Sequence, residues 1–392
     1  MNTFEALFSL LRSEMTSTPL NEEERKSINN EFLVKLYKLS KSHDLAHLIG
    51  DALDKNDLLP MGYEATNRFI QERNMSVYRY EQINYELGEI SRIFEENKIK
   101  HIPLKGSVIR KYYPEPWMRT SGDIDILIKK EDLENATLAL EKEGCRYEGA
   151  QIYDVHIRLP SGVCLELHFD FMQADVADKR AKVLAQAWER TSPCDGYEYR
   201  LKFDNAFFYF YHIAHMVKHF LKGGCGIRPF LDIWLMKQQD HFCGEEIDDL
   251  LKETNLLTFA QNAERLSKVW FDDIAHDAVT KEMEEYIVKA GIYGSLDNQI
   301  ALQQLKSGGK RKHLWTRIFL PFSLLKCLYP KLEKYPVLFP FYQVVRWFRI
   351  VFGKNKKRAF IELKRIATTK DDRKKRLGLL CNNLGLTDEN FN

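Results

Sequence analysis

The chain has 392 residues, 44 % hydrophobic and 29 % charged, with a net charge of +2. That mixture fits two or three globular units and excludes a disordered, collagen-like or fibrous chain. There is no apolar run long enough to span a bilayer, no basic stretch ahead of the short apolar run in MNTFEALFSLLRSEM, and no CxxC among the seven scattered cysteines. These features argue against a membrane-spanning helix, a secretory leader, a zinc ribbon or a disulfide framework, and favour a reducing cytoplasm.

In chain order, residues 1–96 predict helices. Asn21 and Glu24 have capping-box spacing ahead of the stripe Phe32, Leu33, Leu36 and Leu39. A second helix is expected over 42–53. A long one is expected over 64–96, where Phe69, Ile83, Leu87, Ile90 and Phe94 recur at helical period. Residues 97–177 read as a small α/β unit: an apolar run at HIPL, a helical stretch over 108–113, the strand DIDILI, a helix over 132–143 and two alternating strands. Helical patterns return over 178–300, and a basic, aromatic-rich region fills 301–392. The fold class this predicts is α+β, a small mixed sheet embedded in N- and C-terminal helical regions.

The register of the last two strands can be argued. Taking Pro160-Ser161-Gly162 as a three-residue loop sets Leu159 opposite Val163, Ile157 opposite Leu165 and Val155 opposite Leu167, all apolar. The other face then gathers Asp154, His156 and Arg158 beside Cys164, Glu166, His168 and Asp170, with Glu166 opposite His156. A solvated edge is the alternative explanation of that face.

The strongest local signal is LKGS at 104–107 followed by SGDIDIL at 121–127. Residues two apart in a strand share a face, so Asp123 and Asp125 project together while Ile124, Ile126 and Ile128 enter the core. Two carboxylates at the end of a buried strand repel each other unless a cation lies between them, and hard oxygen ligands suit Mg²⁺ or Mn²⁺. A solvated strand end is the competing reading. Gly106 lets backbone approach a ligand, and Lys105 and the Ser107 hydroxyl add charge and a hydrogen bond suited to phosphate. Glu166 supplies a third carboxylate.

This combination resembles the polymerase-β-like nucleotidyltransferase superfamily: an apolar residue, G-[GS], a helix, an apolar-flanked D-x-[DE] and a later strand carboxylate. Over about residues 75–240, including LELHFDF and RPFLDIWLM, the chain is similar to a bacterial group of uncharacterised nucleotidyltransferases. The fifteen residues between Ser107 and Asp123 are slightly more than most superfamily members have. The resemblance implies that residues 97–177 form a nucleotidyltransferase core. It implies that Gly106 and Ser107 bind the β- and γ-phosphates of a nucleoside triphosphate, with ATP the default by abundance. Asp123 and Asp125 would hold Mg²⁺ or Mn²⁺, and Glu166 would bind a second ion and help deprotonate the acceptor. Lys105, Arg119 and Ser121 would be helpers, Arg119 either balancing triphosphate charge or pairing with the acidic strand. The acceptor is open. A toxin-like RNA or protein modifier and a catalytically silent scaffold are the rival readings.

Other features carry weaker expectations. His212, His215 and His219 lie on one helix face and permit a metal site, though aromatic neighbours suggest packing. Asp232 is expected to be buried and hydrogen-bonded, with one of these histidines as its candidate partner. Gly223-Gly224-Cys225-Gly226 reads as a flexible turn. From Lys306 to Arg376 the sequence holds 21 Lys/Arg against four acids, a local net of +17, while the remainder nets −15. That segment predicts contact with RNA or with an anionic membrane surface, peripheral to a cytoplasmic protein, or else a solvated basic face.

Overall fold

The computed structural model describes residues 1–171, 179–292, 294–307, 309–352, 365, 366, 368 and 371–386. Five helices come first: α1 (Thr3–Thr16), α2 (Glu22–Lys26), α3 (Asn30–Ser42), α4 (Ala46–Lys55) and α5 (Glu64–Glu96). The long helix matches its predicted span. The Asn21/Glu24 capping box forms, but it starts only α2, which buries nothing and stops at Ser27. The apolar stripe belongs to α3, started by Asn29, whose side chain accepts from the Phe32 N–H. The helix expected over 42–53 begins four residues later, because Asp44 turns the chain at φ +56°.

The central sheet contains β1 (His101–Pro103), β2 (Asp123–Ile128), β3 (Arg146–Ala150), β4 (Asp154–Arg158) and β5 (Cys164–His168), in spatial order β1-β2-β5-β4-β3. β2 and β5 run parallel and the other neighbours are antiparallel. The hairpin has the predicted register, Val155 with Leu167, His156 with Glu166 and Ile157 with Leu165. Gly162, at φ +88°, closes the loop by donating its N–H to the Leu159 carbonyl. β3 was not expected; it is mostly exposed and interrupted at Gly149, so it shows no apolar alternation. Between β1 and β2 lies the short helix α6 (Gly106–Ile109), extended by a 3₁₀ turn, and between β2 and β3 lies α7 (Leu133–Lys142).

The apolar face of the sheet, with Ile124, Ile126, Ile157 and Leu165, packs on α5 and on Ala136 and Leu140 of α7. Burying each Ile or Leu there stabilises the fold by about 1.5–3 kcal/mol. Past β5 come α8 (Lys179–Leu184), a small unexpected ribbon of β6 (Thr191–Pro193) and β7 (Leu201–Phe203), then α9 (Asn205–Phe220), α10 (Arg228–Lys237), α11 (Glu245–Glu253), α12 (Leu257–Phe271), α13 (Ala278–Ala290) and α14 (Leu296–Lys306). A second, larger core joins α1, α3 and α4 to α9, α10 and α12. The glycine turn after α9 is packed rather than flexible: a Cβ on Gly224 would meet that of Ala290 at 2.5 Å, and one on Gly223 the Ser295 carbonyl oxygen at 2.8 Å.

Four further helices, α15 (Lys310–Ile318), α16 (Phe322–Leu328), α17 (Lys331–Lys334) and α18 (Phe339–Phe352), form the described part of the basic region before a last helix, Asp371–Asn383. The expectation for residues 353–364 lies outside the described residues. No helix among the described residues is long and apolar enough to cross a membrane.

Candidate active site

The ladder aligns the polar face of the sheet in rows. Asp125 neighbours Glu166 across the parallel pair, and Glu166 neighbours His156 across the hairpin. One row on, Leu127 neighbours His168, which neighbours Asp154; one row back, Asp123 neighbours Cys164. The carboxylates therefore converge because backbone pairing and strand alternation place them together.

A tight turn supplies the cation. Ser107 donates its N–H to the Leu104 carbonyl at 3.2 Å, and Lys105 sits at φ +49°, ψ −123°. These are the angles of the first central residue of a type II′ turn, a place glycine ordinarily takes. A lysine there carries strain of about 1–3 kcal/mol, the kind of strain that gathers at functional sites. Lys105 Nζ donates to Asp125 Oδ1 at 2.6 Å, and His168 Nε2 lies 2.7 Å from the same oxygen. His168 was named only as part of the polar face; its place two residues beyond Glu166 was the available signal.

Charge is unevenly settled across this cluster. Burial alone would raise the Asp125 pKa, but Lys105 and His168 outweigh it and hold the carboxyl at about 2. Asp123 is raised by burial and then by Asp125, and Glu166 by burial, Asp125 and Asp123. Two acids thus resist ionisation beside a third that is fully charged. Donor atoms of Asp125, Glu166 and His168 lie within 4.8 Å of one another, a grouping that could hold a metal ion; Asp123 shares the face but stands outside that group. Two carboxylates fit Mg²⁺ or Mn²⁺, and the imidazole favours a transition ion such as Mn²⁺.

The Asp123–Asp125 end of the site faces a cavity of about 180 Å³ that includes Lys105, Gly106, Ser121, Gly122 and Arg228. Gly106 is needed there: a Cβ would press on Ser121 Cβ at 3.3 Å. Ser121 Oγ accepts from Arg110 at 3.2 Å. Ser107 instead lines a separate cavity with Lys111, Arg200 and Lys202, so the hydroxyl beside Gly106 is that of Ser121.

Arg119 borders the same cavity as Gly106 but does not pair with the acidic strand. Its guanidinium donates to both oxygens of buried Asp232, at 2.7 and 2.8 Å, and Tyr113 donates its hydroxyl to Asp232 at 2.7 Å. That pairing also corrects the expected histidine partner, since His212 Nε2 instead lies 3.3 Å from the Pro229 carbonyl. The three histidines all border that cavity, but they form no metal-ligand group among the described residues. His215 and His219 face each other with Nε2 atoms 3.1 Å apart. Burial, then the charge of Lys105, depresses both imidazoles, His219 to about 4 and His215 well below its ordinary value, so both are neutral near pH 7.

No curated protein and no solved structure matches the chain. One family model does, described as uncharacterised nucleotidyltransferase, and it takes in residues 33–272, from α3 through the sheet and its acidic row to the end of α12. With well over half of its length matched, the chain belongs to the uncharacterised nucleotidyltransferase family.

Proposed function

We propose that the protein transfers a nucleoside monophosphate from a nucleoside triphosphate, ATP by default, to an acceptor hydroxyl. The acceptor oxygen bonds to the α-phosphorus while the bond to the oxygen bridging towards the β-phosphorus breaks. Pyrophosphate leaves with that electron pair, and the hydroxyl proton passes to a base. The observation that carries this reading is the row Asp125–Glu166 beside Asp123, with a strained lysine aimed at it.

Asp125, Glu166 and Asp123, with His168, are the residues that would hold Mg²⁺ or Mn²⁺. Such ions neutralise a triphosphate and stabilise charge on the attacking and leaving oxygens. Glu166, whose pKa is raised by burial and its acidic neighbours, suits the base. Lys105, Gly106 and Ser121 line the cavity in which phosphates would lie, with Ser107 contributing backbone to the turn. Arg119 acts through Asp232 as a positioning residue.

The test is transfer of label from α-labelled ATP to a cell extract with Mg²⁺ or Mn²⁺. Asp123→Asn should lose nearly all transfer with the fold retained, since an amide cannot replace an anionic ligand. Wild-type transfer by that variant would remove Asp123 from the site.

The partner we propose for the basic region is an anionic lipid surface, which makes the protein peripheral to a cytoplasmic membrane face. Trp315, Phe341, Phe348 and Phe352 are exposed on α15 and α18 among Arg311, Lys312 and Arg349. Apolar rings beside cations match a headgroup boundary. Binding to vesicles containing anionic lipid, absent for neutral vesicles and reduced by salt, is the expected result; preference for RNA over such vesicles would overturn the assignment.

A further inference from the structure

A second cavity, of about 300 Å³, opens beside the same Lys105, with His168 and His215 also in its wall. It lies between the end of β5, α9 and α14, and its contents are unlike those of the Asp123–Asp125 cavity. Lys218, Lys222 and Lys306 line it together with Arg180. Among the described residues no hydrogen bond or ion pair within 4 Å reaches the ammonium group of any of those three lysines. They come from two separate helices and the turn after one of them, so a solvated face of one helix does not explain their convergence.

The like charges act on each other. Burial and then Lys222 and Lys105 depress Lys218; burial and then Arg180 depress Lys306. Two acids share the cavity: Asp154, whose charge acts on Lys218, and Asp170, which accepts the Phe171 N–H. With Lys105 and Arg180 included, the described wall carries five cations against two carboxylates, an excess that suits an anion. The rest of the wall is aromatic and aliphatic, with Tyr153, Phe171, Tyr211 and Leu302, which suits the face of a small ring. The volume is that of a small-molecule site. Its inner end reaches His168, whose Nε2 lies 3.7 Å from Glu166 Oε2, the proposed base.

We propose that this cavity holds the acceptor, and that the acceptor is a small phosphomonoester bearing a free hydroxyl, of the sugar-phosphate class. The phosphate sits against Lys218, Lys222 and Lys306 at the mouth, and the hydroxyl points towards Glu166. This rests on the nucleotidyl-transfer reading above.

The experiment uses the full chain in two stages. A non-hydrolysable ATP analogue is first titrated with Mn²⁺, and inorganic phosphate is then titrated into the saturated complex. Wild-type protein should bind both. Lys218→Gln/Lys222→Gln, whose side chains lie at the surface and whose fold is checked by melting temperature, should bind the analogue within about twofold of wild type but phosphate at least about tenfold more weakly. Analogue and phosphate affinities falling together would mean that the cavity takes the triphosphate, and would overturn the acceptor assignment while sparing nucleotidyl transfer. Phosphate that does not bind the wild-type complex, or binds the variant equally well, would also overturn it. Failure of the analogue to bind wild type would show in the first stage, and would remove the nucleotide reading together with the acceptor that depends on it.

Discussion

Asp125 and Asp232 are both buried carboxylates with a cation close by, 2.6 Å away for Lys105 and 2.7 Å for Arg119, yet they are opposite kinds of place. Arg119 covers both oxygens of Asp232 and Tyr113 adds a third donor, which closes the pair. Asp125 takes Lys105 and His168 on one oxygen, and among the described residues no hydrogen bond reaches Oδ2. It also has two acids nearby that are held reluctant to ionise, and its lysine borders a second cavity besides the one that Arg119 and Asp232 line. A buried ion pair therefore says little by itself. What separates the two places is whether the neighbouring charge is already balanced.

The sharpest way to break this comparison is to neutralise each carboxylate. Asp232→Asn should destabilise the protein by about 3–5 kcal/mol in denaturant unfolding, because it leaves a buried guanidinium without its counter-charge. Asp125→Asn should change stability much less, since Lys105 borders two cavities, and should abolish transfer. Equal stability losses would make both pairs structural. A smaller effect is expected at Glu166. Removing its charge lessens repulsion, so Glu166→Gln should melt no lower than wild type without metal and gain less from Mg²⁺ or Mn²⁺. Equal metal-dependent gains would place Glu166 outside the metal site.

The smallest effect comes from a third buried carboxylate. Glu14 shares Lys55 with Asp51, and burial, against the pull of Lys55 and with the push of Asp51, raises it to about 7. A raised acid contributes stability that is full below its unfolded value, near 4.5, and is lost as pH rises through about 7. Wild type should thus lose about 1–3 kcal/mol across that window and Glu14→Gln should not. Parallel pH profiles for the two proteins would exclude this. Glu14 borders none of the cavities that adjoin the Asp125 site, so a perturbed carboxyl alone does not mark one.

How much of this was legible in the sequence depended on range. Alternation gave the hairpin register, and with it the facing of Glu166 and His156, because one apolar face admits one pairing. The pairing of Asp125 with Glu166 needed the parallel ladder, which the resemblance supplied and local pattern did not. Arg119 and Asp232 stand 113 residues apart, and nothing in either neighbourhood points to the other. The turn at Leu104–Ser107 misled in a more instructive way. Glycine was the natural choice for special backbone, yet Lys105 takes the left-handed angles. Gly106 is small for a different reason, the close approach of Ser121. That rotation also sends the Ser107 side chain to another cavity. β3 escaped notice because an exposed edge strand has no core face to write a pattern.

The parallel pairing of β2 with β5 works as a ruler. The spacing of Asp125 and Glu166 is set by adjacent strands, about 4.8 Å apart, and not by the forty residues that connect them. Within that connection, the outer surface of α7 and the tip at Pro160–Gly162 can lengthen, shorten or change composition without altering that spacing. A one-residue slip of β5 against β2 cannot be absorbed: it would turn Leu165 and Leu167 outward and bring Glu166 and His168 into the core. Variation is therefore open to the loops and to the helices that wall the larger cavity, and closed to the short stretch of ladder from Asp123 to Leu127.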